Sequence, residues 1–118
     1  MVAVKLYTRS GTYTGHERSA SGWQLIYDNA ATQMKGRGRP TVLDGMESVF
    51  VAGGAYQTFY VWAEKRLVYK RGFIEKMPFA SDQSLIVFEG IGVKDLFGPV
   101  VYSPRVWSGS IQYETSVF

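Results

Sequence analysis

The chain of 118 residues has no cysteine and a single histidine, which excludes a disulfide framework, a thiolate nucleophile and any zinc site built from Cys and His. Thirteen basic against ten acidic side chains leave a net charge of +3, an excess that says more about solubility than about a polyanionic partner, and no apolar run approaches the ~20 residues that span a bilayer. What remains is one domain's length of chain, rich in Val, Thr, Tyr, Phe and Gly and with 15% aromatic residues, which is a β composition.

Val2–Tyr7 alternates Val2, Val4 and Leu6 against Ala3, Lys5 and Tyr7, the period of a strand with one buried face. Ser10-Gly11 turns the chain, and Thr12–Ser21, which holds His16, reads as a loop. Trp23–Asp28 is a second strand, with Trp23, Leu25 and Tyr27 on one face, closed by Asp28-Asn29. Ala30–Met34 has room for one helical turn before Lys35-Gly36-Arg37-Gly38-Arg39-Pro40, where two glycines and a proline rule out a long helix and leave a basic surface loop.

Thr41–Leu43 is a short extended piece, Asp44-Gly45 a turn, and Ser48–Val51 a short strand ended by Gly53-Gly54. Tyr56–Ala63 carries the strongest strand pattern, with Phe59, Val61 and Ala63 on one face and Tyr56, Thr58, Tyr60 and Trp62 on the other. Glu64-Lys65 is short enough to fold it into a hairpin with Arg66–Lys70. Phe73–Ser84 reads as irregular, and Leu85–Glu89, apolar on both faces, as a central strand. Gly90-Ile91-Gly92 breaks that strand and opens a connector packed with Val, Phe, Tyr and Trp, which reads as an ordered crossover to a last strand at Ser110–Phe118. About eight strands and no substantial helix predict a single all-β domain over residues 1–118, an antiparallel β-sandwich of jelly-roll type.

Chemistry is harder to place. His16 stands alone in a polar loop, where a solvated imidazole is the ordinary expectation, so neither a catalytic triad nor an imidazole metal site is expected. Asp44, Glu47, Asp82, Glu89 and Asp95 are scattered without the spacing of a calcium loop, which leaves a loop-bound calcium open but unassigned, with no other cofactor or metal expected. Glu89 and Asp95 form the best pair for glycoside hydrolysis, but Glu89 is better explained as a structural clamp with Arg105, a buried ion pair holding the crossover. Lys35, Arg37 and Arg39 put three cations on small spacers that a nucleic acid or a sulfated glycan could meet, but three charges on one loop with no companion nucleic-acid motif read first as a solvated surface loop, and nucleic acid is not the expected partner. Tyr60 and Trp62 share a strand face and Tyr102 and Trp107 decorate the connector; such rings serve either as core or as platforms for the apolar faces of sugars.

Several blocks resemble a recurring all-β domain of large secreted and surface proteins of microalgae and bacteria. They are Tyr7–Glu17 (YTxxGxYxGxE), Gly22–Leu25 (GWxL), the aromatic strand in VFVAGGAYQTFYVW and the LVYKRG arm. The most specific is FASDxxLxxFEGxGxxxxFGxxxxSPRxWxGxIxY, matched by Phe79–Asp82, Leu85, Phe88–Gly90, Gly92, Phe97-Gly98, Ser103–Arg105, Trp107, Gly109, Ile111 and Tyr113. The resemblance covers nearly the whole chain and supplies a setting but no established activity: a module of an extracellular or cell-surface protein, excised with a start Met and no signal peptide. Lys35–Arg39 departs from the small acidic or neutral loop of that domain, so a ligand preference there would be particular to this chain. Together these readings lead to the expectation of a non-catalytic extracellular binding or adhesion module for carbohydrate or another surface polymer. The alternative is a structural or assembly module whose exposed aromatics make a protein interface, with a homo-oligomer as its consequence.

Overall fold

The computed structural model describes residues 2–35, 39, 41–65 and 69–115, and among them it has eight strands and no helix. Every strand pairing is antiparallel, which is the all-β class expected from the sequence and is consistent with a sandwich. The chain divides into two compact units, the first of Met1–Leu67 with Leu96–Gly98 and the second of Val68–Asp95 with Pro99–Phe118.

The first unit is a three-stranded sheet of β1 (Val2–Ser10), β2 (Gln24–Thr32) and β3 (Gln57–Ala63) in the order β2-β1-β3. The alternation read in β1 is realised residue by residue: Val2, Val4, Leu6 and Thr8 are buried, and the intervening residues are half-buried. Val2, Val4, Leu6, Ile26 and Tyr27 form the core, with Met34, Leu43, Val49, Val61 and Ala63 packed against it. Each fully buried aliphatic side chain of this kind contributes about 1.5–3 kcal/mol. In β2 both Ile26 and Tyr27 are buried, although simple alternation sets them on opposite faces. The register supplies the reason: Leu6 lies opposite Tyr27 and Tyr7 opposite Leu25, so Ile26 is an extra residue in a β-bulge and the alternation resets there. The hydroxyl of buried Thr8 donates to the Thr58 carbonyl at 2.8 Å and accepts from Gln57 Nε2 at 2.8 Å, so its burial leaves no polar atom unmet.

The second unit contains β4 (Tyr69–Arg71), β5 (Pro78–Ser81), β6 (Ile86–Phe88), β7 (Gly90–Val93) and β8 (Val101–Trp107). Its sheets are β4-β8-β7 and the two-stranded β5-β6.

Several expectations are corrected here. Among the described residues the hairpin expected across Glu64-Lys65 is not seen, since β3 pairs with β1 and β4 with β8; the alternation of a strand names its faces and not its partner. The intervening Arg66, Leu67 and Val68 lie outside the described residues. Residues 30–32 continue β2 in place of a helical turn, since Thr32 finds a ladder partner in Val2. Ser48–Val51 is irregular, and so are residues 110–115 of the expected last strand. Pro78–Ser81, expected to be irregular, is a strand, and among the described residues β6 pairs with β5 alone where a central position was expected. The crossover is the largest revision. Gly90-Ile91-Gly92 is strand β7, and Val101–Trp107 in the middle of the connector is β8, the central strand of its sheet. Glycines that read as a break are accommodated by a register shift between Gly90 and Gly92.

Candidate functional site

The second unit carries an open groove of about 240 Å³ between the β5-β6 sheet, the end of β8 and the chain that follows it. Phe79, Leu85, Val87, Trp107, Ile111 and Tyr113 give it apolar walls, and Asp82 a carboxylate. Residues 107, 109, 111 and 113 line it at every second position, so the period read for a final strand is present, but its row of side chains meets a groove and the described residues 110–115 join no ladder.

Asp82 is built into the β5–β6 turn. One oxygen of its carboxylate, Oδ1, accepts the backbone N–H groups of Ser84 at 2.8 Å and Leu85 at 2.9 Å, an Asx turn that fixes the side chain. The other, Oδ2, accepts the hydroxyl of Tyr113. That phenol, followed by the Ser84 and Leu85 N–H groups, holds the Asp82 carboxyl below its ordinary range, and the bond to Asp82 in turn raises the Tyr113 phenol above its own. Because the folded Asp82 is depressed, its contribution is present above the ordinary carboxylate pKa and fades as pH falls through the lowered one. Because the folded Tyr113 is raised, its contribution is present below the ordinary phenol pKa and fades as pH rises through the raised one. Tyr60 is also raised, first by burial. Ultraviolet titration of the phenols should therefore show Asp82→Asn removing one tyrosine from the late-titrating fraction while Tyr60 stays in it. A late fraction unchanged by the substitution would refute the Asp82–Tyr113 bond in solution.

Trp107 ends β8 and is 42% exposed. A Cβ placed on Gly109 would lie 2.6 Å from Cζ2 and 2.7 Å from Cε2 of its indole, so the ring rests against the Gly109 backbone in space that only glycine leaves free.

The other residues singled out in the sequence are placed as follows. Tyr60 takes the core alternative: it is 8% exposed, its ring lies 4.7 Å from Phe97, 5.4 Å from Trp23 and 6.0 Å from Tyr7, and its hydroxyl accepts the Phe97 N–H at 2.8 Å. Trp62, opposite Lys5 in the β1–β3 register, is half-buried. Lys35 and Arg39 are exposed, the Lys35 N–H donating to Thr41 Oγ1 at 3.0 Å, and Arg37 lies outside the described residues. Tyr102 is 44% exposed on β8 with the Arg105 guanidinium 5.5 Å from its ring centre. The sequence-predicted set is thus divided between the two units, and only Trp107 of it lines the groove.

Glu89 is 5% exposed, and its Oε1 accepts the Phe73 N–H at 2.6 Å. Its backbone binds the same loop twice more, accepting from the Lys76 N–H at 2.9 Å and donating to the Met77 carbonyl at 2.7 Å. Arg105 stands opposite Gly90 in the β7–β8 register and donates from its guanidinium to the Pro104 carbonyl at 2.9 Å. Glu89 is thus tied to the loop of residues 72–77 by three hydrogen bonds.

In the first unit Asp28, Asp44 and Glu47 line a second groove of about 350 Å³ with Leu25, Ile26, Tyr27, Asn29 and Gly45. Among the described residues no three His, Cys, Asp or Glu converge to hold a metal ion. Also among them, no helix is long and apolar enough to cross a membrane.

Sequence reasoning passed over Asp82, Leu85, Ile111 and Tyr113 as a scattered acid and ordinary strand residues. A local signal existed in Ser81-Asp82-Gln83-Ser84-Leu85, the pattern of an Asx turn, and in the spacing Trp107-x-Gly109-x-Ile111-x-Tyr113. Compared with known protein families, curated proteins and solved structures, the chain has no significant match.

Proposed function

We propose that the chain is a non-catalytic binding module that takes carbohydrate or another surface polymer across the groove of the second unit. The observation that carries this reading is Trp107, an exposed indole braced against Gly109 and set in one groove with the anchored Asp82–Tyr113 pair. A ring held in place loses little entropy when a sugar face stacks on it, and an adjacent carboxylate accepts from sugar hydroxyls. At about 240 Å³ the groove is below the ~300 Å³ of the smallest enclosed ligand pockets, which favours one ring of a chain lying across the surface over a small molecule swallowed whole. A non-catalytic reading is supported by Asp82 being the one carboxylate among the described residues lining the groove, where glycoside hydrolysis uses two. It also gives meaning to the resemblance to secreted and surface β domains: every residue lining the groove except Val87 is a fixed position of the FASDxxL…WxGxIxY block. An extracellular setting accords with that.

A glycan array followed by calorimetry on the best ligand tests the proposal. Trp107→Ala should weaken binding about tenfold or more, whereas Trp62→Ala on the first unit should not. Absence of binding to any glycan, or an affinity unaffected by Trp107→Ala, would sink it.

The assembly reading has its own support in the first unit, where Phe50 is 74% exposed, Val42 61% and Tyr56 57%, apolar surface of the kind that interfaces cover. Light scattering separates the two, since a concentration-independent oligomer disrupted by Phe50→Ser would favour assembly.

A further inference from the structure

The loop between β4 and β5 exposes its largest apolar side chains. Phe73 is 95% exposed, Ile74 60% and Met77 47%, and within seven residues of sequence around them stand three exposed cations, Lys70, Arg71 and Lys76. The loop's one acid, Glu75, is half-buried and accepts the Ser103 hydroxyl.

A loose loop would fold such a phenylalanine back onto the protein. This one is held open by its backbone: Gly72 N–H donates to the Pro104 carbonyl at 3.2 Å, Phe73 N–H to the buried carboxylate of Glu89 at 2.6 Å, and Met77 N–H to the Ile74 carbonyl at 3.2 Å. Lys76 takes a positive φ of 68° to close the turn. The ordering entropy of presenting Phe73 and Ile74 is therefore met by folding and not at the moment of contact.

We propose that residues 70–77 form an insertion loop for the surface of an anionic phospholipid bilayer, with Phe73 and Ile74 entering the headgroup–acyl boundary and Lys70, Arg71 and Lys76 meeting lipid phosphates and carboxylates. A short apolar tip with exposed cations beside it in sequence matches the layering of that surface, apolar below and negative above. A second copy of the chain fits less well, because a two-fold pairing of the tips would bring the same cations face to face.

Co-sedimentation of the full chain with vesicles tests this, using phosphatidylcholine alone and phosphatidylcholine with about a third phosphatidylserine. The wild type should bind the phosphatidylserine vesicles and leave the neutral ones, and Phe73→Ser with Ile74→Ser should weaken binding roughly tenfold or more. Lys70→Ala with Lys76→Ala should weaken it too, and shallow its dependence on salt. Circular dichroism establishes that each variant is folded. Failure to bind charged vesicles, equal binding to neutral ones, or binding unmoved by the Phe73/Ile74 change would each overturn the proposal. So would a dimer, seen by light scattering, that the same change dissolves, since it would assign the tip to a second copy.

Discussion

Replacing Gly72 by alanine is expected to destabilise the protein by about 2–3 kcal/mol, lowering the melting temperature by roughly 10 °C. A Cβ at this position would stand 1.7 Å from Glu89 Oε1 and 2.7 Å from its Cδ, with Pro104 Cβ 3.3 Å away. A carboxylate at the end of a flexible side chain would ordinarily swing aside. Glu89 has little freedom to do so, being 5% exposed and bound to the Phe73 N–H. Moving it strands that N–H and leaves the charge without its hydrogen bond, which is the costly side of hydrogen-bond energetics. Glu89→Ala should cost a similar amount by removing the acceptor outright. The double variant should cost little more than either single change, because the methyl group added at position 72 then enters space that the carboxylate has vacated. Urea unfolding of the four proteins closes the cycle. Additive losses would show that Gly72 and Glu89 matter for separate reasons and would dismiss the contact.

Tyr60→Ala should cost about 3–5 kcal/mol, as large-to-small changes of aromatic core residues do. Tyr60 packs between Tyr7, Trp23 and Phe97, meeting Trp23 at an interplanar angle of 88° and Tyr7 at 70°, edge-to-face arrangements that add to the area they bury. Tyr60→Phe keeps the ring but leaves the Phe97 N–H without its acceptor, and should cost about 1 kcal/mol. The ratio between the two substitutions separates packing from hydrogen bonding, with denaturant midpoints as the readout. A Tyr60→Ala protein within about 1 kcal/mol of the wild type would mean that the ring is not core in solution, and would restore it as a candidate sugar platform.

Local chemistry was legible in the chain. Alternation in Val2–Tyr7 and Tyr56–Ala63 named two strands and the inward side of β1, because a side-chain period of two needs no knowledge of partners. Asp44-Gly45 and Gly53-Gly54 are turns, as their composition requires, with Gly45 at φ 83° and Gly54 at φ 76°, where other residues are strained. The bulge that buries both Ile26 and Tyr27 was not legible, because it arises from the fit of β2 against β1.

Pairing was beyond reach for the same reason. Strand β8 read as part of a connector because Ser103, Pro104 and the flanking glycines resemble a loop in composition, and only the presence of β4 on one side and β7 on the other makes it the centre of a sheet. The sequence by itself determined the class of the protein, the strands at Val2–Tyr7 and Tyr56–Ala63 and the turns at Asp44-Gly45 and Gly53-Gly54, all set by interactions within a few residues. Tertiary structure alone decided which aromatic rings are buried and which are offered. Tyr60 went to the core and Trp107 to a groove with Asp82 and Tyr113, because burial depends on what a distant stretch of chain places over each ring.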